Sequence, residues 1–205
     1  NHQHTFENDG DFTIVNDNVE YKLPFHIFTG WSAPFSVKPR MVQMFRYRTD
    51  IVINDLKQIK KTSHLPRQRV LVSGSTGMIG LQLCAFLEAA GHEVHRLVRP
   101  STKLPKDVNK ENIVTWNDLT GEVIDGSFEN FDSIIHLAGA GIGDKRWSKK
   151  RKKLIKDSRV IPTTNLSNII AKLDSPPQAL LCGSAVGFYG NRGTEVLDEN
   201  SESGD

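Results

Sequence analysis

The chain has 205 residues, 38% hydrophobic and 24% charged, with a formal net charge of +2. That is an ordinary globular composition, long enough for one sizeable core or one core plus part of another, and too weakly charged to imply a nucleic-acid or acidic-membrane partner. No apolar run reaches the roughly 18–20 residues of a membrane span and no signal-peptide pattern opens the chain. Cys84 and Cys182 fall in apolar patterns and read as buried reduced thiols, which points to a cytoplasmic compartment and against a disulfide framework.

Residues 1–30 alternate as strands do. In "DFTIVNDNVEYKLPF", Phe12 and Ile14 share one face, Asn16-Asp17-Asn18 reads as a turn, and Val19, Tyr21 and Leu23 resume the alternation until Pro24. This predicts a β-hairpin. Met41, Met44, Phe45, Ile51, Val52, Leu56 and Ile59 then recur at helical spacing behind Pro39, predicting one amphipathic helix over 40–61. A hairpin and a helix cannot enclose a core alone, so 1–61 reads as part of a larger domain and 62–68 as a linker. From Arg69 the rhythm becomes strand–helix alternation. Strands are expected at 69–74, 92–99 and 112–117, then a strand running into a glycine turn over 131–141 and a strand ending in a loop over 177–190, with helices from Met78 to Ala90 and from Trp147 to about Leu173. Pro162 should start, kink or break a segment of the second helix. This is the pattern of a doubly wound parallel sheet, and it reads as cut short at its C-terminus.

Gly74, Gly77 and Gly80 form G-x-x-G-x-x-G between the first of these strands and its helix. Such glycines serve a tight turn, close backbone approach to a pyrophosphate, and helix-on-strand packing, and the helix N-terminus offers N–H groups to the phosphates. The strand "EVHRLVRPS" ends in Arg96 and Arg99 and places no acid there. An arginine at that position favours the 2′-phosphate of NADP(H) over the ribose hydroxyl of NAD(H). Arg99 is the better placed, with Ser101 as a helper. "HLAGAG" (136–141) closes the fourth strand on the side where a cofactor should lie, and His136 reads as a satisfied core histidine. His2 and His4 have no further ligand near them in sequence, and no metal is expected.

Together these stretches resemble the extended short-chain dehydrogenase/reductase superfamily, which is Rossmann-folded and includes nucleotide-sugar epimerases. "SGSTGMIG" is similar to its cofactor loop, "HLAGAG" to its fourth-strand motif and "GSAVGFYG" to its serine-bearing fifth strand. "LAGAGIGDKRWSKKRKKLIKDSRVIPTTNL" resembles more closely a branch of poorly characterised epimerase-like proteins, from which it departs at Pro162, where glycine is usual. The resemblance covers 69–205. "VEYKLP" (19–24), "FRYR" (45–48) and the long helix resemble the end of a START-like, helix-grip domain.

The resemblance implies that Gly74, Ser75, Thr76, Gly77, Met78, Ile79, Gly80, Arg99, Leu137, Ala138, Gly139 and Arg159 hold the cofactor. It places Ser184 where the superfamily's catalytic serine orients a substrate oxygen. Tyr189 matches the structural tyrosine of the "YG" loop, with no lysine four residues on, and Arg159 stands where many relatives carry a proton-relay asparagine. Arg146 and Trp147, after the fourth-strand glycines, are positioned to clamp an anion and stack on a ring; with Tyr189 they form the expected substrate side. The remaining basic residues of the second helix read as a solvated face, since one tryptophan is too little aromatic interleaving for nucleic acid. Two readings stay open: an NADP(H)-dependent oxidoreductase or isomerase, epimerase-like, on an unidentified small molecule, and a non-catalytic NADP(H) sensor or assembly factor. Oligomeric state is left open.

Overall fold

A computed structural model describes residues 1–10, 12–21, 37–106 and 108–204, which form two compact units, Asn1–Lys61 and Thr62–Asp205.

In the first unit, β1 (His2–Asp9) and β2 (Phe12–Val19) pair antiparallel with Asp9 opposite Phe12. The hairpin turn therefore lies at Gly10, whose φ of 63° suits glycine, and not at Asn16-Asp17-Asn18. Those three residues stay extended within β2, paired in register with β1, which also engages the side chains of Asn16 and Asp17. Asn16 Nδ2 donates to Glu7 at 3.2 Å, and His2 Nε2 meets Asp17 Oδ1 at 3.3 Å. The predicted continuation through Leu23 and Pro24 falls outside the described residues. α1 (Lys38–Thr62) matches its periodicity, with Pro39 in the first turn and Lys60 and Lys61 in the last, where each suits the helix ends.

The second unit holds β3 (Arg69–Ser73), α2 (Met78–Ala89), β4 (Glu93–Val98), β5 (Ile113–Trp116), β6 (Val123–Asp125), β7 (Ser133–His136), α3 (Lys149–Ile170) and β8 (Ala179–Cys182). They build a six-stranded sheet in the order β6-β5-β4-β3-β7-β8. All neighbours are parallel except β5 and β6. The fold is thus the expected α/β, Rossmann-type sheet. β6 was not anticipated, because its three residues are exposed throughout and leave no periodic signal.

Alternation along the central strand sends neighbouring residues to opposite faces. Leu71 packs with Leu97, Trp116, Phe131, Ile134 and Leu166 of α3. Val70 and Val72 pack with Val94 and with Cys84 of α2. One helix therefore covers each face, and β3 and β4 are buried almost end to end, as central strands of a parallel sheet must be. β8 is the sheet edge, so Cys182 is exposed, not buried as its apolar neighbours suggest, while Cys84 is buried.

α3 runs through Pro162 unbroken, so the proline neither starts nor breaks a segment. Proline lacks the N–H that would bond back four residues. Here its ring is fully buried, so packing offsets the ladder bond lost at the Ser158 carbonyl. No described helix is long and apolar enough to cross a membrane.

Candidate functional site

β3 pairs with β4 on one side and β7 on the other, so chain direction across the sheet reverses at β3. Crevices form at the carboxyl edge of such a switch point. Here a cleft of about 430 Å³ is walled by the loop Gly74–Gly77, by Arg99 and Thr102 after β4, by Trp116 of β5 and Asp118 in the loop after it, and by Leu137–Ala140 after β7. Leu154 and Ser158 of α3 complete it. The volume falls within the range of about 300–1,000 Å³ usual for small-molecule sites.

Each glycine of the loop has a separate reason. Gly74 adopts a φ of 70°, and a Cβ there would lie 2.7 Å from the Ala138 nitrogen, so only glycine lets the β3 and β7 loops touch. Gly77 N donates to the Gly74 carbonyl at 2.9 Å and closes the turn. Gly80 faces that same carbonyl; a Cβ there would collide with it and lie 2.8 Å from Ser75 Cα. α2 starts beneath this loop with Gly77 as N-cap, no capping side chain and no acid in its first turn. Its leading N–H groups and positive dipole end are therefore left for an anion. The Ser75 hydroxyl is buried beside them without a protein partner, and a buried orphan of this kind calls for a ligand or water. These residues fit a dinucleotide pyrophosphate.

Arg96 of β4 and Arg99 just after it separate. Arg96 is 7% exposed and turned toward α2, donating to Glu88 at 3.2 Å and to the Ser75 carbonyl at 3.4 Å, so it braces the glycine loop. Arg99 stands at the cleft rim with a side chain 63% exposed and a long 3.9 Å ion pair to Asp118. Thr102, rather than the expected Ser101, shares the wall with it, accepting from the Arg99 backbone N–H at 3.2 Å.

His136 is buried and hydrogen-bonded through Nδ1 to Ser73 Oγ at 2.6 Å, with Nε2 unpartnered. Burial lowers its pKa, against the opposing pull of the Asp118 charge, so it is a neutral core imidazole, but not the fully satisfied one expected, because Nε2 has no partner. Behind the β7 loop, Ser158 Oγ accepts from Ala140 N at 2.9 Å, and Arg159 donates to the Ala140 and Ile155 carbonyls, each at 3.1 Å. Arg159 thus shapes the loop from outside and is not a wall of the cleft.

The other expected residues are more dispersed. Leu137, Ala138 and Gly139 line the cleft with Gly74, Ser75, Thr76, Gly77 and Arg99. Met78 and Ile79 lie exposed on the first turn of α2, and Gly80 is buried under the loop. Trp147 donates from Nε1 to the Ile142 carbonyl at 2.9 Å and borders a separate shallow groove with Ile155, Arg159 and Val160. Arg146 is exposed beside it. Gly183 N donates to the His136 carbonyl at 3.0 Å, so Ser184 emerges, exposed, at the same sheet edge but outside the cleft wall. Tyr189 is half-buried, edge-on to Phe188 at 5.3 Å. Sequence reading missed Trp116 and Asp118. Their signal was position, since "TWND" lies at the carboxyl end of a parallel strand, where this fold places its ligands. Leu154 and Ser158 gave none, because their approach depends on how α3 packs.

A family model described as the NAD dependent epimerase/dehydratase family matches residues 70–205. An epimerase family protein of Mycobacterium bovis is 37% identical over 135 residues, covering 66% of this chain and 42% of that protein. The crystal structure of a nucleoside-diphosphate sugar epimerase from Corynebacterium glutamicum is similar over 100% of this chain and 39% of its own, with a TM-score of 0.65 and 34% identity. The human epimerase family protein SDR39U1 (isoform 2), crystallised with NADPH, is similar over 67% of this chain and 43% of its own, with a TM-score of 0.54 and 32% identity. The chain spans about two fifths of the length of the curated relatives it matches.

Proposed function

Because the chain belongs to the NAD dependent epimerase/dehydratase family, we propose that its cleft binds NADP(H) in the service of an epimerase- or reductase-type reaction on a small molecule. The observation that carries this reading is the union, at one switch point, of an uncapped helix N-terminus, the buried unpartnered Ser75 hydroxyl and an exposed arginine on the rim. When bound, the nicotinamide supplies reversible hydride transfer. The loop N–H groups and α2 hold the pyrophosphate, and Arg99 pairs with the 2′-phosphate. The NADPH of the human relative supports the same guest here. Ser184, exposed at the carboxyl edge beyond β8, is proposed to donate a hydrogen bond to a substrate oxygen. Arg146, Trp147 and Tyr189 remain proposed for the substrate side.

A second reading, a nucleotide-binding sensor or assembly factor without turnover, is favoured by two observations. Arg159 is committed to backbone carbonyls, and Gly193 stands where a lysine partner of Tyr189 would be. Fluorescence titration with NADPH and NADH tests the binding. NADPH is expected to bind more tightly, and Arg99→Ala to weaken it about ten-fold, one charge-assisted hydrogen bond, while leaving NADH unchanged. NADH binding as tight as NADPH, or an Arg99→Ala variant of undiminished NADPH affinity, refutes the assignment. Oxidation of bound NADPH by a carbonyl or sugar-nucleotide substrate excludes the sensor.

A further inference from the structure

The hairpin of the first unit gathers a donor set that the sequence order conceals. His2 and His4 are alternate residues of β1, so they share one face of the ribbon. The register sets Asp17 of β2 directly opposite His4. The expectation that these histidines lack a further ligand is therefore corrected: the missing carboxylate comes from the neighbouring strand. Asp17 Oδ1 meets both His2 Nε2, at 3.3 Å, and His4 Nδ1. The two rings lie 4.2 Å apart, and one nitrogen or oxygen from each of the three residues falls within 4.8 Å of the others.

α1 supplies an outer layer from one face, since Phe45 and Arg48 are three residues apart. Phe45 stands edge-on to the His2 ring at 6.4 Å between centroids. Arg48 pairs at 3.3 Å with the other carboxylate oxygen, Oδ2, and so leaves Oδ1 turned toward the imidazoles. A ligating carboxylate anchored on its far oxygen and a ligating ring held by packing are the usual supports of a metal site.

We propose that His2, His4 and Asp17 form a binding site for a divalent transition-metal ion of the zinc class. Two imidazoles and one carboxylate suit such ions, while a calcium or magnesium site would require more oxygens. Ligand atoms of a tetrahedral ion at about 2.0–2.2 Å lie about 3.6 Å from one another, so the imidazoles need to close slightly and the His4–Asp17 contact to open. All three residues are solvent-accessible, which leaves the remaining coordination positions to water or a ligand.

The test is isothermal titration of ZnCl₂ into the whole chain carrying no affinity tag. One equivalent is expected to bind. His4→Ala and Asp17→Asn should each weaken it by at least the roughly ten-fold that loss of an outer-shell partner costs, whereas His64→Ala should leave it unchanged. Far-UV circular dichroism confirms that each variant keeps its secondary structure, and Asp17→Asn preserves side-chain shape. No zinc uptake by the wild-type chain overturns the site, as does equal uptake by the His2→Ala/His4→Ala double variant. Unchanged affinity in Asp17→Asn removes the carboxylate from it.

Discussion

Gly80→Ala sets two opposed effects against each other. In an ordinary helix interior, alanine is favoured over glycine by about 1 kcal/mol. At Gly80, however, the added Cβ would collide with the Gly74 carbonyl oxygen and lie 2.8 Å from Ser75 Cα and 2.9 Å from the Gly74 carbonyl carbon. All three are backbone atoms of a loop fixed by the Gly77–Gly74 hydrogen bond and by contact with Leu137 and Ala138. None can swing aside as a side-chain tip does. Overpacking costs about 1–3 kcal/mol, and its upper end applies where backbone must move. The net loss is then about 2 kcal/mol. With a urea dependence of about 1–3 kcal/mol per molar, the unfolding midpoint should fall by about 1 M. Trp116, 2% exposed in the core of this unit, reports the transition by fluorescence. The matched control is Gly187→Ala, in the short turn Val186–Tyr189 with nothing within 4 Å of the added Cβ, which should leave the midpoint essentially unchanged. NADPH affinity should fall in Gly80→Ala and hold in the control. A Gly80→Ala chain as stable as wild type, with NADPH affinity retained, would refute the claim that loop and helix touch here.

Leu166→Ala removes a fully buried side chain from the cluster of Leu71, Trp116 and Ile134 and should cost about 2–5 kcal/mol, measured by the same urea titration; a smaller loss would mean that α3 does not seal that face. His136 makes stability depend on pH. Its folded-state pKa is lowered by burial, while the unfolded chain takes up the proton near pH 6.5. The unfolded state therefore binds more protons just below that pH, and stability is full above it and lost as pH falls toward the folded-state value. His136→Asn should flatten the change in midpoint between pH 7.5 and 5.5; an unaltered slope would place the titration elsewhere.

The sheet and its cleft were legible because their signals are local. Gly74, Gly77 and Gly80 are fixed by loop closure and helix approach within a few residues, and the burial of β3 and β4 shows directly as apolar runs. Arg96 lies within β4 and Arg99 just past its end, and their roles diverged with the side each faces and how far α2 reaches, which the residue letters alone do not record. Ser184, Arg146, Trp147 and Arg159 were placed by resemblance, and their distance from the cleft wall depends on loop paths after β7 and β8. The hairpin turn was misplaced because Asn-Asp-Asn carries turn composition. Cross-strand partners at Glu7, His2 and His4 overrode that preference.

By itself, then, the order of residues determined the strand–helix alternation, the glycine turn, and an arginine rather than an acid at the end of β4. Each is a consequence of backbone sterics or periodicity acting over a few residues. Tertiary structure alone decided that Asp118 enters the cleft from the loop after β5, that Arg159 braces a loop, and that Asp17 meets His2 and His4. Those outcomes depend on strand order and register, which set distances between residues far apart in the chain and are fixed only when the separate apolar faces find one another.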